Sequence, residues 1–147
     1  MNIQSMKPEH YEHLMELWSS FPGNTLTGAD SLEGFTLFLE RNGAYCFTAF
    51  ESDEIVGSVM AGEDSRRGYI YHLAVKKEMH RSGTGKALMN RTETALRNAG
   101  IEKIHLLIIS NNPAIEFYKK AGWHPRDDIK VMSKVLRGDR YMGTGKS

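Results

Sequence analysis

Cysteine is almost missing from this chain, with Cys46 the one thiol in 147 residues. A lone thiol excludes an internal disulfide and suits a reducing compartment. It sits in the apolar run Tyr45-Cys46-Phe47, which favours a buried structural thiol over a nucleophile. Long apolar runs are missing too. None approaches the ~20 residues that a membrane-spanning helix needs, and no segment reads as a signal peptide, so a cytoplasmic chain with no membrane partner is expected. Charge of one sign is equally scarce. The formal net charge is +1, and Arg66-Arg67, Lys76-Lys77 and Lys119-Lys120 are isolated pairs on solvated surface, so no nucleic-acid partner is expected. His10, His13, His105 and His124 have no metal-ligand spacing, and no metal is assigned.

What remains is the composition of an ordinary globular domain, 40% hydrophobic and 25% charged. The length fits one domain with a real core, assigned to residues 1–136, with 137–147 as a small, polar and flexible tail. Asn2 to Ser5 reads as a short strand. Pro8 opens a helix with Tyr11, Leu14, Met15 and Trp18 on one face, ended by Pro22-Gly23-Asn24. A second helix carries Leu32, Phe35, Phe38 and Leu39 and stops near Asn42-Gly43. A hairpin turns at Ser52-Asp53, and a third strand follows Ser65 to Gly68 and runs Tyr69 to Val75. A helix with Leu88, Thr92, Ala95, Leu96 and Ala99 inward ends at Gly100. Ile104 to Ile109 is nearly all apolar, as expected of a strand buried on both faces. A short helix starts at Pro113, and a last hairpin is expected from Trp123 to Leu136. The strand–helix–strand unit in the middle implies a parallel pair inside an otherwise antiparallel sheet.

The most informative stretch is His80-Arg81-Ser82-Gly83-Thr84-Gly85-Lys86, between a strand and a helix. Glycines there let backbone amides approach an anion, and the helix N-terminus adds unsatisfied N–H groups and partial positive charge. Arg81 and Lys86 add to that charge. A dinucleotide fingerprint needs a third glycine where Leu88 stands. A nucleoside-triphosphate loop needs glycine at His80 and Ser or Thr at Ala87. Gly143 to Ser147 fails the same pattern, because Arg140 holds its upstream glycine position and no helix follows. A coenzyme A pyrophosphate loop and a plain strand-to-helix turn both fit.

With Leu73-Ala74-Val75 ahead of it, the stretch resembles the Gln/Arg-x-x-Gly-x-Gly/Ala motif of the GNAT superfamily of N-acetyltransferases. Asn111-Asn112-Pro113-Ala114-Ile115-Glu116-Phe117-Tyr118-Lys119-Lys120-Ala121-Gly122-Trp123 is similar to that family's second motif. The resemblance is close from Ile55 to Leu136, with His80 in place of Gln or Arg and Trp123 in place of Phe. It implies a mixed α/β fold: a mostly antiparallel sheet, a central parallel strand pair splayed after Val75 and Ile109, and helices on both faces. It implies acetyl-CoA as co-substrate. The pantetheine arm would pair with Leu73, Ala74 and Val75 and the pyrophosphate would rest on His80, Arg81, Ser82, Gly83, Thr84, Gly85 and Lys86, with Asn111 and Tyr118 opposite.

The activity so implied is acetyl transfer from acetyl-CoA to a primary amine. Tyr118 is the candidate acid for the leaving thiolate. Because a lysine-type amine with pKa about 10.4 is mostly protonated at neutral pH, a base is also needed. Glu63, beside Asp64 at the end of the strand that starts at Ile55, is the first candidate, and His72 on the next strand is an alternative. A non-catalytic acyl-CoA-binding or sensing domain is the competing reading. The acceptor and the general base stay open, as does the oligomeric state, a homodimer included.

Overall fold

The computed structural model describes residues 1–21 and 26–137. Five strands, β1 (Asn2–Ser5), β2 (Phe47–Glu51), β3 (Glu54–Glu63), β4 (Gly68–Val75) and β5 (Ile104–Leu106), form one sheet in chain order. Neighbours pair antiparallel until β4 and β5, which run parallel. The α1 helix (Tyr11–Ser19) and α2 (Leu32–Asn42) lie between β1 and β2, α3 (Thr84–Asn98) joins β4 to β5, and α4 (Ile115–Lys120) follows β5. The expected mixed α/β architecture with helices on both faces is what the chain adopts.

The sheet divides the core in two. Leu14, Leu17 and Trp18 of α1 and Phe35 of α2 bury against Ile55, Met60 and Ala74 on one face. Leu88, Met89 and Leu96 of α3 bury against Val56, Val59 and Ile70 on the other. The strand at the centre, β3, is buried from Ile55 to Gly62, which is why its sequence is apolar on both sides of the pleat. Local chemistry starts α2: the Ser31 hydroxyl accepts the Gly34 N–H at 3.0 Å.

One irregularity positions everything that follows. Ser58 pairs with Ala74 and Met60 with Tyr71, so Val59 alone faces both His72 and Leu73. This is a β-bulge, and His72 occupies it at φ 47°, a left-handed conformation that a non-glycine side chain rarely adopts. The extra residue puts two consecutive side chains on the α1–α2 face. There Tyr71 meets Phe38 edge-on and His72 stacks on Trp18, ring centroids 4.1 Å apart.

Several expectations need correction. The parallel pair is not central: β5 is the outer strand among the described residues, and its pairing with β4 ends at Ile70 and Leu106 rather than after Val75 and Ile109. The strand expected to Ile109 stops at Leu106, its residues are half-buried, and Leu107 is 68% exposed. The bulge at His72 explains this, since it bends β4 away from β5 beyond Ile70. The hairpin from Trp123 to Leu136 is absent: residues 123–137 carry no strand, and Ile129, Val131, Val135 and Leu136 are exposed. An edge of three residues on β5 offers too few hydrogen-bonding groups to organise a further strand. The helix-ending Pro22-Gly23-Asn24 lies outside the described residues, as does all of the expected 137–147 tail after Arg137.

Candidate active site

The anion-binding stretch folds as the spacing of its glycines demands. After Val75 a 3-10 turn (Lys77–Met79) leads to Arg81 at φ 66° and Gly83 at φ 88°, and α3 begins at Thr84. Two left-handed residues in this short turn fold the backbone tightly at the head of α3. Gly83 is the N-cap of α3 and supplies no side-chain cap. Among the described residues, the N–H groups of Gly83, Thr84, Gly85 and Lys86 make no backbone hydrogen bond, whereas Ala87 already bonds the Gly83 carbonyl at 3.0 Å. A helix N-terminus with open amides is a site for a phosphate.

The two glycines have different reasons. Gly83 needs its positive φ, and a Cβ there would meet nothing within 4 Å. Gly85 needs neither conformational freedom nor space within the protein. Its φ is ordinary, and a Cβ would lie 3.5 Å from Phe117 and 3.7 Å from Val75, which is normal contact. The same distances show that α4, the start of α3 and the end of β4 converge on Gly85.

The end of β4 presents an open edge to this point. Lys76 N–H bonds Val56 of β3 at 2.8 Å, so by alternation the backbone groups of Leu73 and Val75 face away from β3, on the side β5 has left. His80 Nε2 lies 2.9 Å from the Val75 carbonyl and ties the loop to the strand. Ser82 and Thr84 hydroxyls are joined at 2.7 Å. Arg81 and Lys86 take part in no ion pair among the described residues.

Tyr118 lies on α4 with its ring against Phe117 and Trp123. Burial pushes its hydroxyl up to about 12, so it holds its proton at neutral pH. Its oxygen has no hydrogen-bond partner among the described residues, and no buried side-chain oxygen there lacks one, so the hydroxyl touches solvent. Asn111 is exposed, while its neighbour Asn112 caps the α4 turn by accepting the Ala114 N–H at 2.9 Å.

Glu63 stands elsewhere. It pairs with Gly68 at the end of β4 remote from Val75, and that pair faces Leu96 of α3. Its carboxylate accepts from the Tyr45 hydroxyl at 3.2 Å and from the Ser65 N–H. Burial, and then Glu63, push the Tyr45 hydroxyl up. Asp64 accepts the Arg66 and Arg67 amides, closing the β3–β4 turn, and these bonds hold its carboxyl below the usual range.

The model of the acetyltransferase (GNAT) family matches residues 10–123. The chain belongs to the GNAT acetyltransferase family. Two curated acetyltransferases resemble this GNAT chain in sequence. One, from Sodalis glossinidius, is 35% identical over 145 residues, covering 95% of this chain and 99% of its own. The other, from Pectobacterium atrosepticum, is 37% identical over 89 residues, or 60% of this chain, and the match spans 63% of that protein's length. The GNAT fold also superposes on Rv2747 from Mycobacterium tuberculosis, solved in complex with CoA and NLQ, with a TM-score of 0.69 at 18% identity, covering 90% of this chain and 77% of that one. Among the described residues, no helix is long and apolar enough to cross a membrane.

A site feature that sequence reading missed is Asp30. Its Oδ1 lies 2.8 Å from His72 Nε2, across 42 residues of chain. No local motif announces a contact at that separation.

Proposed function

We propose that this acetyltransferase moves an acetyl group from acetyl-CoA to a primary amine, with residues 1–136 as its working unit. The observation that carries the reading is Gly85, a glycine that the fold itself does not require, set among open amides and beside the open edge of β4. A ligand approaching that backbone closely is the reason for the missing Cβ. The amides from Gly83 to Lys86 suit the pyrophosphate of coenzyme A, with Arg81 and Lys86 adding charge. The outward backbone of Leu73 and Val75 suits the pantetheine arm as an added strand. Ala74, which faces β3, holds that edge in register.

His80 serves this site indirectly, by fixing the Val75 carbonyl to the loop. Ser82 and Thr84 brace the turn, and Asn111, ahead of α4, is assigned to the coenzyme A contact with them. The neutral Tyr118 hydroxyl is the proton donor to the leaving sulfur, and an outward amide of β4 steadies the oxygen charge that develops as the amine attacks. The coenzyme A complex of Rv2747 is consistent with this donor.

Calorimetric titration with acetyl-CoA, run beside ADP and ATP and repeated on Gly85→Glu, tests the reading. Micromolar acetyl-CoA binding that the substitution abolishes is expected, followed by release of free coenzyme A when amines are added. Preferential ATP binding, or no binding of acetyl-CoA, overturns it. Binding without coenzyme A release across the amines would instead mark a non-catalytic acyl-CoA sensor.

A further inference from the structure

A polar network on the α1–α2 face is unexplained by packing. His72 sits in the β4 bulge at φ 47°, a strained conformation for a side chain of its size. Its ring is stacked on Trp18 with an interplanar angle of 17°. Its carbonyl accepts the Ser58 hydroxyl at 2.7 Å, and Ser58 accepts the Trp18 indole N–H at 2.9 Å. Asp30 is fixed in turn: its Oδ2 accepts the Thr27 N–H at 3.0 Å, and its carbonyl accepts the Tyr11 hydroxyl at 2.6 Å. Strain held by contacts from three elements points to function rather than to filling.

The pair has a direction. A carboxylate oxygen 2.8 Å from Nε2 requires the proton on that nitrogen, which leaves Nδ1 with its lone pair. Nδ1 makes no hydrogen bond among the described residues, and no buried side-chain nitrogen there lacks a partner, so Nδ1 is open to solvent. His72 itself lies two residues past the last β4–β5 pair and directly precedes Leu73, whose backbone faces the edge that β5 leaves.

We propose that His72 is the general base of the acetyl transfer and that Asp30 is its positioning residue, in place of Glu63. The proposal rests on the amine-acetyltransferase reading of the same site. The acceptor's ammonium gives one proton to Nδ1, which passes it to solvent. The freed nitrogen lone pair forms the N–C bond to the thioester carbonyl as the C–S bond breaks. Tyr118 protonates the leaving sulfur and is restored by the second proton shed from nitrogen. The sum is an amide, a thiol and one released proton. Asp30 keeps the ring in the Nε2–H tautomer and stabilises the imidazolium. It is the charged group that faces the ring among the described residues. Tyr11 on α1, held neutral because burial and then Asp30 push it up, is the other titratable neighbour, and Trp18 and Ser58 do not ionise.

The test compares the whole chain with His72→Asn and Asp30→Asn, the first chosen because asparagine tolerates a left-handed backbone. Coenzyme A release is followed with n-butylamine, protonated at pH 7, and with trifluoroethylamine, already neutral there. His72→Asn is expected to lower kcat/KM about 100-fold for n-butylamine, to change it less than threefold for trifluoroethylamine, and to leave acetyl-CoA affinity unchanged. Asp30→Asn is expected to lower kcat/KM about tenfold for n-butylamine and less than threefold for trifluoroethylamine, because the ring is no longer held in the Nε2–H tautomer. This second readout stands even if His72→Asn does not fold. Equal loss for both amines in either variant, or no loss with Asp30→Asn, overturns the base assignment alone. No turnover of either amine by the parent chain overturns the amine reading with it.

Discussion

On the α1–α2 face of the sheet, polar groups find partners within the protein: Trp18 with Ser58, Ser58 with His72, His72 with Asp30, Asp30 with Thr27 and Tyr11. At the head of α3 the reverse holds, and a row of amides from Gly83 to Lys86 is left without a backbone partner. Both regions contain left-handed backbone, His72 in one and Arg81 and Gly83 in the other. The first arrangement fixes a side chain in one orientation. The second keeps donors free for something that arrives from outside. Saturated polar groups orient and open ones bind, so the two regions should respond differently to substitution.

The largest expected effect is on the saturated face. Trp18→Ala removes a fully buried ring and the donor to Ser58, and should lower unfolding stability by about 3–5 kcal/mol in urea titrations. Acetyl-CoA affinity of the fraction still folded should hardly move. Gly83→Ala is the converse. It forces a Cβ into φ 88° with no clash, a cost of about 1–2 kcal/mol seen as a lower Tm, while acetyl-CoA binding weakens more than stability does. If Trp18→Ala weakened binding as much as Gly83→Ala, the comparison would fail.

Tyr118→Phe should cut turnover about tenfold, equivalent to about 1.4 kcal/mol, without changing acetyl-CoA affinity in calorimetry. A separate effect is alkaline. Burial pushes both the Cys46 thiol and the Tyr118 hydroxyl up to about 12, from ordinary values of 9.0 and 10.0. Both are neutral in the fold, while the unfolded chain ionises first. Stability is therefore complete below pH 9 and falls as pH rises toward 12. Thermal melts of Cys46→Ala should lose the part of that fall beginning near pH 9, and those of Tyr118→Phe the part beginning near pH 10.

Local pattern made much of this molecule readable. The apolar spacing of Leu14 and Trp18, the turn at Ser52-Asp53, and the stop at Gly100 (φ 90°) each act within a few residues. The glycine turn at the head of α3 was legible for the same reason, since its glycines and the helix start are contiguous. The apolar run from Ile104 to Ile109 misled, because a strand needs a partner alongside, and the bulge at His72 turns β4 away from β5 after Ile70.

The sequence by itself determined the family, the mixed α/β class and the glycine turn with open amides at the head of α3, because these rest on neighbouring residues whose backbone preferences are local. Only the tertiary structure decided which carboxylate meets which imidazole. Asp30 and His72 lie 42 residues apart, and they meet because a bulge in β4 turns His72 toward α1 while the 3-10 turn (Gly28–Asp30) before α2 carries Asp30 to the same point. That contact depends on the packing of separate elements against one sheet, which no short stretch of chain encodes.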